Sequence, residues 1–246
     1  MTFNEVAMKT PRANEALASA TPRGEQARQA LIDAGLTLFA QRGLEGATTR
    51  DIALAAGQNI AAITYYFHSK QGLYLAVAQW IADTLNASFH PLRTECERFL
   101  SRSDATPQAY LALIQRAIAH LCHLMTQPQT LHLSQIISRE QMLPSAASPI
   151  LHDQFISPLH TLMTHLVAGY AGLDATQPTA ALHTHALLGQ VLAFRMARET
   201  ILNRTGWPQI GPAQAQAIHE VVQLHTELLM NGLRQRGAVG NVRKTS

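Results

Sequence analysis

The chain has 246 residues, of which 47% are hydrophobic, and a formal net charge of +3 at pH 7, which allows one large domain or two smaller ones. No apolar run approaches the roughly 18 residues of a membrane span, and the first residues lack a secretory signal, so we expect a cytoplasmic protein with no membrane partner. The net charge supports nucleic-acid binding only weakly, because bulk basicity measures attraction and not sequence reading.

Leu and Ala dominate the apolar residues, whereas β-branched and aromatic residues are few, so the composition favours helices. Residues 1–21 are polar and alanine-rich, and they predict a flexible arm. Helical periodicity begins at Pro22 and ends at a glycine stop signal, Gly43. The inward positions of this helix are predicted to be Leu31, Ile32, Gly35, Leu38 and Phe39.

Two short helices are predicted next, joined by a turn that contains Gly57. Thr48 is expected to cap the first of them, with Asp51 completing a capping box. Asn59 is expected to cap the second, which spans 60–67 and turns its apolar residues inwards. Two short helices with this connection predict a helix-turn-helix, whose second helix lies in the major groove of DNA.

Longer helices parted by Pro and Gly are predicted after the second short helix. The first of them begins at Gln71 and is expected to end near Pro91. The remaining predicted spans are 107–126, 129–142, 148–172, 178–204 and 212–236. The sequence thus predicts an all-α protein with a helix-turn-helix DNA-binding domain (22–69), a larger helical bundle for ligand binding and dimerisation (70–236) and a basic flexible tail (237–246).

The outward face of the second short helix carries small side chains that would let the backbone approach base edges, at Ala61, Ala62 and Thr64. Arg50 is placed to reach a phosphate or a guanine edge. Side chains that suit phosphate contacts flank this face, at Thr49, Tyr65, Tyr66 and Lys70. Taken alone, residues 61–67 also fit an ordinary amphipathic helix.

Three consecutive segments favour the DNA-binding helix over an ordinary amphipathic helix. They are RQALIDAGLTLFAQRG (28–43), ATTRDIALAAG (47–57) and ITYYFHSKQGLYLAV (63–77). In this order and spacing they closely resemble the N-terminal domain of TetR-family regulators. The resemblance implies a homodimer that binds a palindromic double-stranded DNA operator and responds to a small-molecule effector. It assigns Thr48 or Thr49, with Tyr65, Tyr66 and Lys70, to phosphates, and it assigns Arg50, Ala61, Ala62 and Thr64 to bases. Departures at Gln58, Ile60 and Thr64 mean that it implies no particular operator.

Later segments resemble the CecR-like branch of that family. They are ISREQMLP (137–144), GQVLAFR (189–195) and RTGW (204–207). This resemblance implies a repressor that controls neighbouring efflux or detoxification genes.

A ligand pocket and a dimer surface are expected in the larger domain. Candidate pocket residues, suited to a polar or anionic molecule, are Gln135, Arg139, Met142, Gln190, Phe194 and Arg195. The alternative is that the two arginines pair with acids such as Glu140 and Glu199. Candidate dimer residues are Leu188, Leu192, Ile218, Val221, Val222, Leu228 and Leu229. Core packing within one chain is the alternative for these, and the family resemblance favours the dimer.

Two other classes of function remain as alternatives. A helical metal-binding or metal-sensing protein would use histidine pairs such as His120 with His123 or His183 with His185, but no acid or cysteine stands at ligand spacing beside them. Cys96 and Cys122 are not spaced as a metal or redox motif and are expected to be reduced thiols. A helical enzyme or chaperone-like binder lacks any catalytic motif. We therefore predict no catalytic residues, no metal and no cofactor.

Overall fold

The structure, a computed structural model, describes residues 22–242, with side chains for residues 22–236. The predicted arm at 1–21 and the last residues of the predicted tail, 243–246, lie outside the described residues. Every regular element between these limits is helical, which confirms the all-α prediction. The helices are α1 (Pro22–Gly46), α2 (Thr49–Ala55), α3 (Ile60–Phe67), α4 (Lys70–Leu100), α5 (Pro107–Thr126), α6 (Leu131–Met142), α7 (Ser148–Leu151), α8 (Ser157–Ala171), α9 (Pro178–Met196), α10 (Arg198–Thr205) and α11 (Pro212–Val242).

The predicted end of α4 near Pro91 is wrong, because the helix continues to Leu100. A proline inside a helix costs about 3 kcal/mol through its missing N–H and a steric clash. Phe89 and Cys96 are buried on either side of Pro91, which is itself exposed. Burial of this apolar stripe outweighs the local stop signal.

Two other predicted spans are divided in the structure. The span 178–204 breaks at Ala197, which leaves the helical region with φ −102° and ψ 34° and separates α9 from α10. The span 148–172 consists of α7, a π-helix (His152–Ile156) and α8. The last helix, α11, extends beyond its predicted end at residue 236 to Val242.

Contacts divide the chain into two compact units. The first unit comprises the described residues up to Ser88 together with His132–Ile156, and the second comprises Phe89–Leu131 and the residues from Ser157 onwards. The core of the first unit is formed by apolar side chains of α1 to α4, including Leu31, Phe39, Ile52, Ile63, Leu73 and Val77. The core of the second unit is formed by α5, α8, α9 and α11, including Ile114, Ile118, Met163, Leu166, Val191 and Val222.

Cys96 and Cys122 are buried free thiols, and burial raises the pKa of Cys96 to about 11. Within residues 22–242, no helix is both long enough and apolar enough to cross a membrane.

A buried carboxylate joins α6 to α4 within the first unit. Glu140 is only 3% exposed and accepts hydrogen bonds from Tyr74 Oη at 2.7 Å, from Ser145 N at 3.0 Å and from Ser145 Oγ at 2.9 Å. Burial, followed by the hydrogen bond to Glu140, raises the pKa of Tyr74 well above its ordinary value. The ring of Tyr74 also packs edge-on against Phe39 of α1, so this polar cluster ties three helices together.

We expect Tyr74→Phe to lower the free energy of unfolding by about 1.5–3 kcal/mol at pH 7, because it deprives a buried carboxylate of a donor. Since the raised pKa keeps Tyr74 neutral in the folded state, the unfolded chain ionises first, and wild-type stability should fall as the pH rises above about 10. Tyr74→Phe should flatten that alkaline decline. Urea denaturation at pH 7 and pH 10.5 tests both points, with Tyr110→Phe as the control. An unchanged stability at pH 7 would contradict the first point, and an equal loss of stability between the two pH values in wild type and variant would contradict the second.

Candidate nucleic-acid interface

The first helix of the helix-turn-helix, α2, is held by local signals at both ends. Thr48 Oγ1 accepts a hydrogen bond from Asp51 N at 3.1 Å, as predicted for the cap. After the helix, Gly57 has a positive φ of 62°, Gly57 N donates to Leu54 O, and Gln58 N donates to Ala53 O. This is a Schellman arrangement, which reverses the chain in one tight turn and so fixes where the next helix starts.

The predicted capping box forms only in half. The Asp51 carboxylate accepts from Arg42 Nη1 of α1 at 2.9 Å, and its side chain makes no bond back to Thr48 among the described residues. Both partners of this ion pair are about half exposed, so it contributes at most about 1 kcal/mol. It nevertheless couples the start of α2 to the end of α1.

The second helix of the motif, α3, has the predicted bounds and the predicted cap. Asn59 Oδ1 accepts from Ala61 N at 3.0 Å. Ile63 and Phe67, four residues apart, are 1% and 6% exposed and anchor the helix to the core. Arg28 of α1 lies over the ring of Phe67 at 5.4 Å, a cation–π contact. Since one face of α3 is fixed in the core, the opposite face is presented to solvent.

The predicted DNA contacts lie on α2 and its N-cap Thr48, on α3 and on the first residue of α4. Thr48, Arg50, Ala61, Thr64 and Tyr65 are exposed, while Thr49, Ala62, Tyr66 and Lys70 are half-buried. Tyr65 is 78% exposed and packs edge-on against Tyr66 at 4.8 Å, which leaves its hydroxyl accessible. Lys70 Nζ donates to the carbonyl oxygen of Glu45 at 3.4 Å. All nine residues belong to one unit and none of them is buried.

Two exposed apolar residues in this region were not among the predicted contacts. Leu54 of α2 is 79% exposed, and Ile60 at the start of α3 is 47% exposed. The departure of Ile60 from the common family pattern is the only signal in the sequence that marks it.

The residues predicted to bind an effector divide between the two units. In the first unit Gln135 and Met142 are exposed, and Arg139 donates to the carbonyl oxygens of Phe39 and Ala40, both at 3.4 Å. Glu140, the acid expected to pair with Arg139, is instead bound by Tyr74 and Ser145. The guanidinium of Arg139 therefore lies at carbonyl groups just before the kink of α1 at Gly43, a contact that the sequence did not predict.

In the second unit, Arg195 caps the end of α5. Its Nη2 donates to Leu124 O at 3.2 Å, to Gln127 O at 2.7 Å and to Thr130 Oγ1 at 2.8 Å. Burial, followed by the nearby charge of Arg198, lowers the pKa of Arg195 to about 10. Glu199, the expected acid partner, pairs with Arg198 instead.

The other two predicted pocket residues of the second unit lie on α9. Gln190 Nε2 donates to Thr226 Oγ1 of α11 at 3.0 Å, and Phe194 is half-buried.

The metal-binding alternative gains no support from the geometry. Between residues 22 and 236, no group of three or more His, Cys, Asp or Glu side chains is arranged to hold a metal ion. One histidine pair, His160 and His185, has its ring centres 5.8 Å apart.

Comparison with known proteins agrees with this geometry. Residues 31–77 match the model of the tetR family of bacterial regulatory proteins, and residues 107–233 match that of the C-terminal domain of the HTH-type transcriptional dual regulator CecR. The chain is 49% identical to CecR of Shigella flexneri over 216 residues, which cover 88% of this chain and 96% of that protein. It is 25% identical to the HTH-type transcriptional repressor KstR2 of Rhodococcus jostii over 208 residues, which cover 84% and 90%.

A solved structure shares the fold. The TetR-like transcriptional regulator from Rhodococcus sp. RHA1 aligns with a TM-score of 0.55 and 18% identity, covering 87% of this chain and 96% of that one. Both family models match the chain, its identity to CecR is high along most of both chains, and its helix-turn-helix has the expected geometry. This chain therefore belongs to the TetR family of bacterial transcription regulators, in the branch that contains CecR.

Proposed function

We propose that the chain is a homodimeric repressor that binds a palindromic operator through α3 and is released from it by a small-molecule effector. The observation that carries the proposal is the placement of α3, which is capped by Asn59 and anchored by Ile63 and Phe67. Its solvent-facing side is small enough to enter a major groove. The residues that we assign to bases are Arg50, Ala61, Ala62 and Thr64, and those that we assign to phosphates are Thr48, Thr49, Tyr65, Tyr66 and Lys70.

The proposed dimer rests on exposed apolar side chains of α9 and α11. Leu182, Val221, Leu224, Leu228 and Leu229 are between 44% and 68% exposed. Large apolar surface of this kind is rarely left in water, and pairing two copies about a two-fold axis would bury it. Ile218 and Val222, also candidate dimer residues from the sequence, are buried within the chain and so cannot form part of this surface. Half-sites related by the same two-fold axis explain why a palindromic operator is expected.

We expect Leu228→Glu to convert the dimer into a monomer at micromolar concentration, because it places a charge in the apolar contact between copies. Leu228 is 61% exposed, so the change should leave the fold of one chain intact. Light scattering after size-exclusion chromatography measures the mass. Leu54→Glu, the same change at an exposed residue of α2, is the control and should stay dimeric. Equal masses for the two variants would contradict the proposed interface.

From the branch to which the chain belongs, we propose that the target genes are neighbouring efflux or detoxification genes and that the effector is a small molecule. CecR is named a dual regulator, so a reporter gene driven by the target promoter must accompany the binding assay and distinguish repression from activation. Footprinting the intergenic DNA upstream of the gene, with and without candidate toxic compounds, measures operator binding and its release together. Protection that a compound abolishes supports effector release, and a rise in reporter expression with the same compound supports repression. Protection that no compound alters argues against effector release, and absence of protection argues against an operator at this locus.

A further inference from the structure

Ile60 is an exposed branched apolar side chain at the first position of α3. It is 47% exposed, whereas the apolar residues that hold the helix, Ile63 and Phe67, are almost fully buried. On a helix, residues three and four apart are neighbours, so Ile60 lies between the buried Ile63 and the exposed Thr64, at the border of the buried face. The exposed half of its side chain therefore adjoins the solvent-facing surface of the proposed base contacts, next to Thr64.

The start of α3 is held firmly enough to give Ile60 a fixed position. The side-chain oxygen of Asn59 accepts from Ala61 N, and Ala62 N donates to Asn59 O at 2.9 Å. The Schellman turn at Gly57 fixes the approach of the chain from α2. A side chain in a fixed place can contribute to specificity, because it meets one base-pair edge and no other.

We infer that Ile60 reads the 5-methyl group of a thymine in the operator, which makes it a specificity-determining residue. Isoleucine has no hydrogen-bonding side-chain atom, and the thymine methyl is the one apolar group that a base pair presents in the major groove. A cytosine amino group or a purine acceptor facing Ile60 would lose its water without gaining a partner. The inference rests on the proposed function, since it requires α3 to lie in the major groove.

The test begins with selection of a preferred operator from a random DNA pool by the full-length protein. Each thymine of that operator is then replaced in both half-sites by uracil, which lacks only the methyl group. For the wild type we expect one position at which the replacement weakens binding by about fourfold per half-site. Ile60→Ala should bind the thymine and uracil forms equally at that position and keep the wild-type response at all others.

Two kinds of control make the result interpretable. Leu54→Ala changes a still more exposed apolar residue of the same motif and should keep the complete wild-type uracil profile. Valine and threonine have the same shape at Cβ, but threonine has a hydroxyl in place of one methyl group. A preference for thymine that survives in Ile60→Val and is reduced in Ile60→Thr therefore supports methyl reading, even if Ile60→Ala disturbs the start of α3.

The outcomes separate the inference from the proposed function. Identical uracil profiles for wild type, Ile60→Ala and Ile60→Thr would overturn the inference and leave operator binding intact. Failure of the wild type to enrich any DNA sequence would instead overturn the proposed function, and the inference with it.

Discussion

Replacing Gly43 with alanine is expected to lower the free energy of unfolding of the first unit by about 2–4 kcal/mol and to weaken operator binding at least tenfold. Gly43 has φ 72° and ψ 175°, a region essentially restricted to glycine, and the strain there costs about 1–3 kcal/mol. An added Cβ would also lie 2.1 Å from Arg139 Nη1. Because Gly43 kinks α1 shortly before its end at Gly46, and so sets the direction in which the chain enters α2, relief of the strain in the alanine variant would displace the helix-turn-helix.

The two causes can be separated experimentally. Arg139 is a flexible side chain and can move away, at the expense of its hydrogen bonds to Phe39 O and Ala40 O. If the clash contributes, Gly43→Ala combined with Arg139→Ala should cost less than the sum of the single variants. If the backbone strain dominates, the two costs should add.

The measurement uses one of the two tryptophans of the chain as a local reporter. A Trp207→Phe background leaves Trp80, in α4, as the only tryptophan, so its fluorescence during urea denaturation follows the first unit. Gly46→Ala is the matched control, because its Cβ would meet only Arg42 Cβ at 3.2 Å, and we expect a change within about 1 kcal/mol. An effect of Gly43→Ala as small as that of the control would show that the unusual backbone is not required.

The double variant Tyr65→Phe, Lys70→Ala is expected to bind the operator about 100-fold more weakly, or worse, at physiological salt. Tyr65→Phe removes only a hydroxyl from a side chain that is 78% exposed, and Lys70→Ala removes one charge at the start of α4. Each loss occurs twice in a dimer. If Lys70 contacts a phosphate in each protomer, as proposed, two such contacts are lost, and the slope of log affinity against log salt should become shallower by about two.

A variant that removes a positive charge far along the chain from the helix-turn-helix provides the control for this prediction. Arg204→Ala removes the same charge from an exposed position of the second unit and should leave both the affinity and the slope close to wild type. Normal binding by the double variant, with an unchanged salt slope, would mean that α3 does not meet DNA through these side chains.

The helix-turn-helix was determined by the sequence itself, because its signals are local. Thr48 and Asn59 cap the helices that they precede, and Gly57 provides the positive φ that the turn requires. The four-residue spacing of Ile63 and Phe67 defines the buried face of α3, and with it the exposed one. The bounds of α3 and α5 could be predicted to the residue for the same reason.

Other features depended on which distant helices meet, and no local spacing encodes that. Pro91 is a genuine stop signal, yet the burial of Phe89 and Cys96 in the packed structure keeps α4 continuous. Arg139 donates to carbonyl groups of α1 about a hundred residues earlier in the chain, and Arg195 caps a helix some seventy residues earlier. Local caps and periodicity thus determined the DNA-binding motif, whereas long-range packing decided the length of α4 and the partners of both arginines, because burial energy is defined only once the helices are in contact.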